Sequence, residues 1–116
     1  MFKWIKRRRI ARYWQKVGMA VYELGKNHPK SWTCKYRVPY MVKKMQADGL
    51  VCNKDFAIER GHATRDNGSI GQHIKLTVYG IDVDPSSPDG IKVRGFTTNG
   101  TYQMVRWSWG RYRKGA

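Results

Sequence analysis

Acidic residues are scarce in this chain and are confined to its middle. Only eight Asp and Glu residues stand against 23 Lys and Arg in 116 residues, which gives a formal net charge of +15. None of the eight precedes Glu23, and none follows Asp89. A charge this one-sided indicates an anionic partner, because like charges repel one another unless a counter-charge is supplied.

Cysteines and long apolar runs are also rare. The two cysteines, Cys34 and Cys52, lie far apart in sequence and lack the paired spacing of a structural zinc site. We therefore predict no metal and no cofactor. No apolar run reaches membrane-spanning length and no secretory signal is recognisable, which favours a cytoplasmic or nucleoid location with both thiols reduced. The length predicts a single domain over residues 1–116.

The N-terminal stretch combines cations with a helical period. Its apolar residues recur every three or four positions, which predicts a helix over about 5–25 that ends at Gly25, with Pro29 soon after. Seven cations and no acid precede Glu23, and the first of them give residues 1–9 a basic start. Because only one sign of charge is present, an anionic partner is favoured over a merely solvated face.

A second helix is predicted over about 39–48, with Pro39 at its first position. The run Met41–Val51 resembles the recognition helix of a winged-helix protein turning into its first wing strand. That resemblance implies that Lys43 and Lys44 face nucleic acid. Because there is little room before Pro39 for another helix and turn, packing of both helices on a sheet is the favoured alternative.

The second half of the chain changes to a period of two, which predicts strands. Short strands are expected over 50–52 and 56–60, followed by a polar, glycine-rich loop over 61–71. A longer strand is predicted over 73–83. The apolar positions change parity at Tyr79–Gly80, where we predict a β-bulge.

The dipeptide Asn99–Gly100 predicts the turn of a β-hairpin over 91–109. The fold class is therefore α+β, with two N-terminal helices packed on a small, mostly antiparallel sheet that ends in this hairpin, and a winged-helix-like variant as the alternative. Trp107 and Trp109 share a hairpin face with cations, as in single-strand binding platforms. Alternatively, both rings face the core. A flexible basic arm is predicted over 110–116.

These features favour a non-enzymatic nucleic-acid-binding protein that neutralises phosphates and stacks bases, with DNA and RNA not distinguished. The predicted contacts are Arg7, Arg8, Arg9, Arg12, Lys43, Lys44, Lys92, Arg94, Arg106, Trp107, Trp109, Arg111, Tyr112 and Arg113. One alternative is a viral or mobile-element protein whose cationic surface covers an acidic patch on a host protein. Another is an amphipathic membrane anchor through Phe2, Trp4 and Ile5.

Catalytic chemistry has one candidate cluster in the sequence. Glu59, His62, Asp66 and His73 are the only acids and imidazoles grouped around the predicted loop. Their spacing matches no motif, and no Ser or Cys has a base at a recognisable spacing. The sequence therefore predicts that the protein is not an enzyme.

Overall fold

The computed structural model describes the backbone of residues 2–65, 67–102, 107–108 and 111–112, and side chains within 3–65 and 67–100. The helices are α1 (Phe2–Asn27) and α2 (Cys34–Ala47). An antiparallel sheet in the order β3-β2-β1-β4 contains β1 (Phe56–Thr64), β2 (Ile70–Val78), β3 (Ile81–Val83) and β4 (Thr97–Tyr102). A separate hairpin pairs β5 (Trp107–Ser108) with β6 (Arg111–Tyr112). The predicted α+β class is confirmed.

Helix α1 is longer at both ends than the predicted 5–25. Its buried stripe, at spacings of three and four, consists of Ala11, Trp14, Gly18, Val21 and Gly25. Gly25 does not end the helix. Gly25 lies inside α1, where the guanidinium of Arg37 on α2 occupies the space that a Cβ would fill. The prediction that Gly25 terminates the helix is therefore wrong: its lack of a side chain serves packing instead of a turn.

Helix α2 begins at Cys34, well before the predicted 39–48, and Pro39 lies inside it. A proline there removes the N–H that would bond to the carbonyl of Lys35. Pro39 is buried together with Val38 and Met41, so packing offsets that loss. Both helices contribute to one core with the sheet, which is the arrangement favoured over the winged-helix alternative.

Strands β1 and β2 form a long hairpin. They pair without interruption from Phe56↔Val78 to Thr64↔Ile70. The predicted loop over 61–71 is therefore mostly strand, and only residues 65–69 connect the two. The glycine-rich composition suggested a loop, but cross-strand hydrogen bonding continues through it.

Tyr79 and Gly80 form a two-residue turn between β2 and β3, not a bulge. Their φ angles are 50° and 78°, and Val78 pairs with Ile81 across the turn. Two successive positive φ angles are the geometry of a type I′ hairpin. The change of parity in the sequence therefore marks a reversal of the chain, and the predicted β-bulge is wrong.

Asn99 and Gly100 lie within β4, so the predicted turn of the 91–109 hairpin is wrong. Strand β4 pairs with β1, and a register shift opposite Arg60/Gly61 accommodates Asn99 as an extra residue. Residues 91–96 form turns and irregular chain before the strand. Pairing with the open edge of β1 outweighs the local turn preference of the Asn–Gly dipeptide.

The core lies between the helices and the sheet. Its largest fully buried apolar side chains include Phe56, Met41, Met45, Ile58 and Leu76. Alternation along β2 turns Lys75 to the other face, where its Nζ binds Glu59 Oε1 at 2.5 Å and Asp82 Oδ1 at 2.6 Å. Over the described residues, no helix has the length and apolarity needed to cross a bilayer.

Candidate active site

The first turn of α2 presents an uncapped N-terminus with a cysteine on it. Thr33 precedes the helix in extended conformation and makes no side-chain capping hydrogen bond. Its carbonyl accepts the N–H groups of Tyr36 and Arg37, both at 3.0 Å. None of the described hydrogen bonds uses the N–H of Cys34 or Lys35. The end of the helix therefore offers two free donors and the positive end of its dipole beside Cys34, which favours an anion there.

His73, near the start of β2, connects this cysteine to a carboxylate. The Nε2 atom of His73 lies 2.8 Å from Oδ2 of Asp84, and the side chain of Cys34 lies near enough to the imidazole to raise its pKa. Because Nε2 faces the carboxylate, Nδ1 is the ring nitrogen left for the sulfur. The ring of Phe96 packs edge-on against His73, with centroids 5.9 Å apart. A base is thus held between a thiol and an orienting carboxylate.

The protonation of His73 follows from these neighbours. Burial alone would lower its pKa, but the hydrogen bond to Asp84 and the charges of Asp84 and the nearby Cys34 outweigh burial and raise the pKa from 6.5 to about 9. At neutral pH the ring is therefore an imidazolium. The cleft thus holds a positively charged ring beside the sulfur of Cys34.

Asp84 is fully buried and its carboxylate is held by the loop that follows β3. Its Oδ1 accepts the N–H of Ser86 at 2.9 Å, and its Oδ2 accepts that of Val93 at 3.4 Å in addition to His73. Its own backbone N–H donates to the carbonyl of Gly90 at 2.9 Å. The bonds from Ser86 and Val93 fix the direction of the carboxylate toward the imidazole, and the bond to Gly90 fixes the backbone of the loop.

Helix α1 packs against the loop that follows β3 and carries Asp84. A Cβ built on Gly18 would lie 3.6 Å from the Cα of Gly90, and a Cβ on Gly90 would overlap the carbonyl of Gln15. The amide of Gln15 also donates to the carbonyl of Asp82 at 2.9 Å. Gly90 has a φ of 72°, a left-handed conformation that glycine adopts most readily. The two glycines therefore let α1 approach the loop that carries Asp84.

Arg37 lies one turn after Cys34 and is buried. Its guanidinium donates to the carbonyl of Tyr22 at 3.1 Å and lies 4.9 Å above the ring of that residue. Burial lowers the pKa of Arg37, and the charges of Tyr22, Asp84 and Cys34 oppose that lowering. Arg37 therefore places a fixed cation one helical turn from Cys34.

An open cleft of about 440 Å³ gives access to the cysteine and the imidazole. Cys34 and His73 both line it, with Lys35 on the helix side and Arg65 at the end of β1. In the described part of the chain, no three His, Cys, Asp or Glu side chains are arranged to hold a metal ion. The sulfur of Cys34 can attack an electrophile that enters the cleft. His73 is the base beside it, and the N-terminus of α2 can bind an oxyanion.

The cluster predicted from sequence is not brought together. Glu59 pairs with Lys75, whereas His62 is exposed and lies opposite Gln72 on the alternate side of the strand. Asp66 lies outside the described residues. Of the three described residues of this cluster, His73 alone belongs to the arrangement seen in the structure.

Cys34 and Asp84 were missed by sequence reasoning, and both left a signal. A hairpin turn at Tyr79–Gly80 pairs Leu76 with Val83. Continued by one residue, this register places Asp84 on the same face of the sheet as His73 and diagonally across from it. For Cys34, the preceding threonine is a common residue at a helix N-terminus. The prediction that the helix begins at Pro39 left Thr33 and Cys34 outside it.

The structure describes the side chains of eight of the predicted nucleic-acid contacts. Those described are all exposed: Arg7, Arg8, Arg9 and Arg12 on α1, Lys43 and Lys44 on α2, and Lys92 and Arg94 before β4. The side chains of Arg106, Trp107, Trp109, Arg111, Tyr112 and Arg113 lie outside the described residues. The backbone of Arg111 and Tyr112 forms β6, and the rest of the predicted arm over 110–116 lies outside the described residues.

The first turns of α1 are exposed on every side over residues 3–9. Arg7 lies 5.0 Å above the ring of Tyr79, and Arg8 lies 5.3 Å above that of Trp4. Within the described residues, the ion pairs all involve His73 or Lys75, and no α1 cation has a carboxylate partner. The cations of α1 therefore form a surface that is separate from the cleft beside Cys34.

Comparison of the chain with protein-family models, with curated proteins and with solved structures finds no match. The functional interpretation therefore depends on the geometry of the described residues.

Proposed function

We propose that the protein is a cysteine-dependent acyl-transfer enzyme, a hydrolase of amide, ester or thioester bonds. Cys34 is the nucleophile, His73 is the general acid and base, and Asp84 is the positioning residue. The observation that carries this proposal is that His73 is hydrogen-bonded to the buried Asp84 and lines an open cleft together with Cys34, which lies at an uncapped helix N-terminus.

The chemistry follows from the roles of these groups. The Cys34 thiolate forms a bond to the acyl carbon, and the carbonyl π electrons move to oxygen, where the free N–H groups of the helix end stabilise the oxyanion. The oxyanion collapses, the leaving group departs with the proton of His73, and a thioester remains. Water then attacks the thioester while His73 accepts its proton. Release of the carboxylic acid product restores the thiolate and imidazolium.

This proposal differs from the non-enzymatic role that the sequence favours. A buried His–Asp pair alone could serve only to brace a loop, and such pairs are common in cores. Here the imidazole also meets a thiol, and both line a cleft that a ligand can enter. A bracing pair requires neither the sulfur nor the opening, whereas a nucleophile requires both.

Hydrolysis of p-nitrophenyl acetate tests the proposal without knowledge of the natural substrate. We expect turnover by the intact chain and an acetyl adduct on Cys34 detected by peptide mass spectrometry. Cys34→Ala should abolish both. His73→Ala should lower the rate by about 10²-fold or more, which is the usual range for loss of a general base. Asp84→Asn should lower it by a smaller factor, because the imidazole remains but loses its orientation.

Cys52 supplies the matched control. It is a second reduced cysteine in the same chain, half-buried and far from His73 in sequence. Cys52→Ser should leave the rate unchanged. Equal rates for Cys34→Ala and the parent chain, or an adduct on Cys52 alone, would exclude Cys34 as the nucleophile.

A second function, nucleic-acid binding through α1, is favoured by a different observation. The helix carries seven exposed cations between Lys3 and Lys16, and none of them forms an ion pair with a described carboxylate. An unpaired row of one charge is typical of a surface that binds phosphates by releasing their counterions. The alternative of an acidic protein patch would use the same surface but would need one particular partner.

Fluorescence polarisation with single- and double-stranded DNA and RNA at several salt concentrations tests this second function. Replacing Arg8 and Arg12 with Ala should weaken binding to all sequences alike and reduce the salt slope by about one to two units. The control Lys30→Ala/Lys54→Ala removes the same charge away from this row. An unchanged slope in the α1 variant would remove the helix from the interface. Lack of affinity for all four probes would favour a protein partner.

A further inference from the structure

The cleft that contains Cys34 has cations on both of its walls. Lys35 follows the nucleophile on α2, and Arg65 follows the end of β1, and both are exposed at the cleft. Arg37 lies deeper and is already bonded to Tyr22. Of the described residues that line the cleft, none is acidic. The potential inside the opening therefore favours a substrate that carries negative charge.

The position of Arg65 is set by the backbone around it. Its guanidinium lies across Gly71, in space that a side chain at that position would fill. Its backbone N–H donates to the carbonyl of Ser69 at 2.8 Å, and its carbonyl accepts the N–H of Gly68 at 2.9 Å. Gly71 and His73 lie on the same face of β2, two residues or about 7 Å apart. The guanidinium is thus placed about two residues along the strand from the base.

We propose that the cleft selects an acyl donor with a carboxylate one or two residues from the scissile bond, which is to say an acidic peptide. Lys35 and Arg65 are the specificity residues, and the planar guanidinium of Arg65 suits bidentate binding of a carboxylate. This inference rests on the proposed function of Cys34. Nucleic acid would satisfy the same cations but offers no acyl carbon to the thiolate, so a peptide fits the whole cleft better.

Two alkylating agents of nearly equal size test the charge preference directly. In both, the thiolate sulfur forms a bond to the methylene carbon and iodide leaves, but iodoacetate carries a carboxylate where iodoacetamide carries an amide. The ratio of the two rates at Cys34, measured by peptide mass spectrometry, is compared with the ratio at Cys52 in the same molecule. Because both thiols experience the net charge of the protein, the comparison isolates the local field.

We expect a higher iodoacetate preference at Cys34 than at Cys52. Arg65→Gln and Lys35→Gln should each lower that preference about twofold, as expected for loss of one exposed charge within a Debye length of the reacting anion. Arg65→Lys should retain most of it. Lys54→Gln should leave the rate ratio at Cys34 itself unchanged and lower only the ratio at Cys52, because Lys54 lies two residues from Cys52 and at the opposite end of the β1–β2 hairpin from Arg65.

Protection of Cys34 from iodoacetamide identifies the anion. Acetylated triglutamate amide should slow alkylation, whereas the matching triglutamine peptide should not. Protection by inorganic phosphate equal to that by triglutamate would contradict an acidic-peptide site, and so would equal iodoacetate preference at the two cysteines. If His73→Ala leaves the iodoacetamide rate at Cys34 unchanged, both the proposed function and this inference are wrong. A slower rate in His73→Ala with no charge preference overturns the specificity alone.

Discussion

The hydrogen bond between Asp84 and His73 predicts an unusual dependence of stability on pH. The pKa of His73 is raised from 6.5 to about 9, and Asp84 is the strongest of the groups that raise it. A group whose pKa is higher in the folded state stabilises fully below its unfolded pKa and loses that contribution as the pH rises through the folded value. The contribution is therefore complete below about pH 6.5 and is lost as the pH passes about 9.

The magnitude follows from the same shift. A change of 2.5 pH units corresponds to about 3 kcal/mol at 1.36 kcal/mol per unit. That is a large fraction of the 5–15 kcal/mol expected for a domain of this kind. In Asp84→Asn the leading cause of the raised pKa is gone, and burial then pulls the pKa of His73 down. The stability gap between the parent chain and Asp84→Asn should narrow by about 3 kcal/mol between pH 6 and pH 10.

Urea denaturation of both chains at intervals across that range measures the gap, and NMR of the His73 ring gives its pKa directly. Asp89→Asn is the matched control, since Asp89 lies in the same loop and accepts hydrogen bonds from Ser87 and Ile91 but does not contact His73. Its lowered pKa confines its effect to acid pH. A constant gap between parent and Asp84→Asn from pH 6 to pH 10 would refute the strong His73–Asp84 interaction.

Two further predictions concern packing, and urea denaturation checks both. Gly90→Ala should cost about 1–3 kcal/mol more than Gly49→Ala, because both have positive φ but only Gly90 is pressed against α1; equal costs would show that α1 does not clamp the loop. Met41→Ala should cost about 2–5 kcal/mol and the partly exposed Met19→Ala less than about 0.5 kcal/mol. Similar losses for the two methionines would contradict the assignment of Met41 to the core.

Turns account for most of the difference between the predicted and observed sheet. The sequence favours a bulge at Tyr79–Gly80 and a turn at Asn99–Gly100. The structure has a turn at Tyr79–Gly80 and a bulge at Asn99. Local sequence permits both outcomes at a glycine, because positive φ serves a turn and a bulge alike. What decides between them is the neighbouring strand. Asn99 is the extra residue where β4 pairs with β1, and β1 lies more than thirty positions earlier, so no local pattern reveals this pairing.

The sequence by itself determined the α+β class, the helical stripe of α1 and the cationic surface, because periodicity and charge are local properties of the chain. Only the tertiary structure brought Cys34, His73 and Asp84 together, from a helix end, a strand and the loop after the next strand. Their contact depends on where α2 begins and on the turn at Tyr79–Gly80, and long-range packing fixes both. A site assembled from three elements is therefore visible only when the elements are placed against one another.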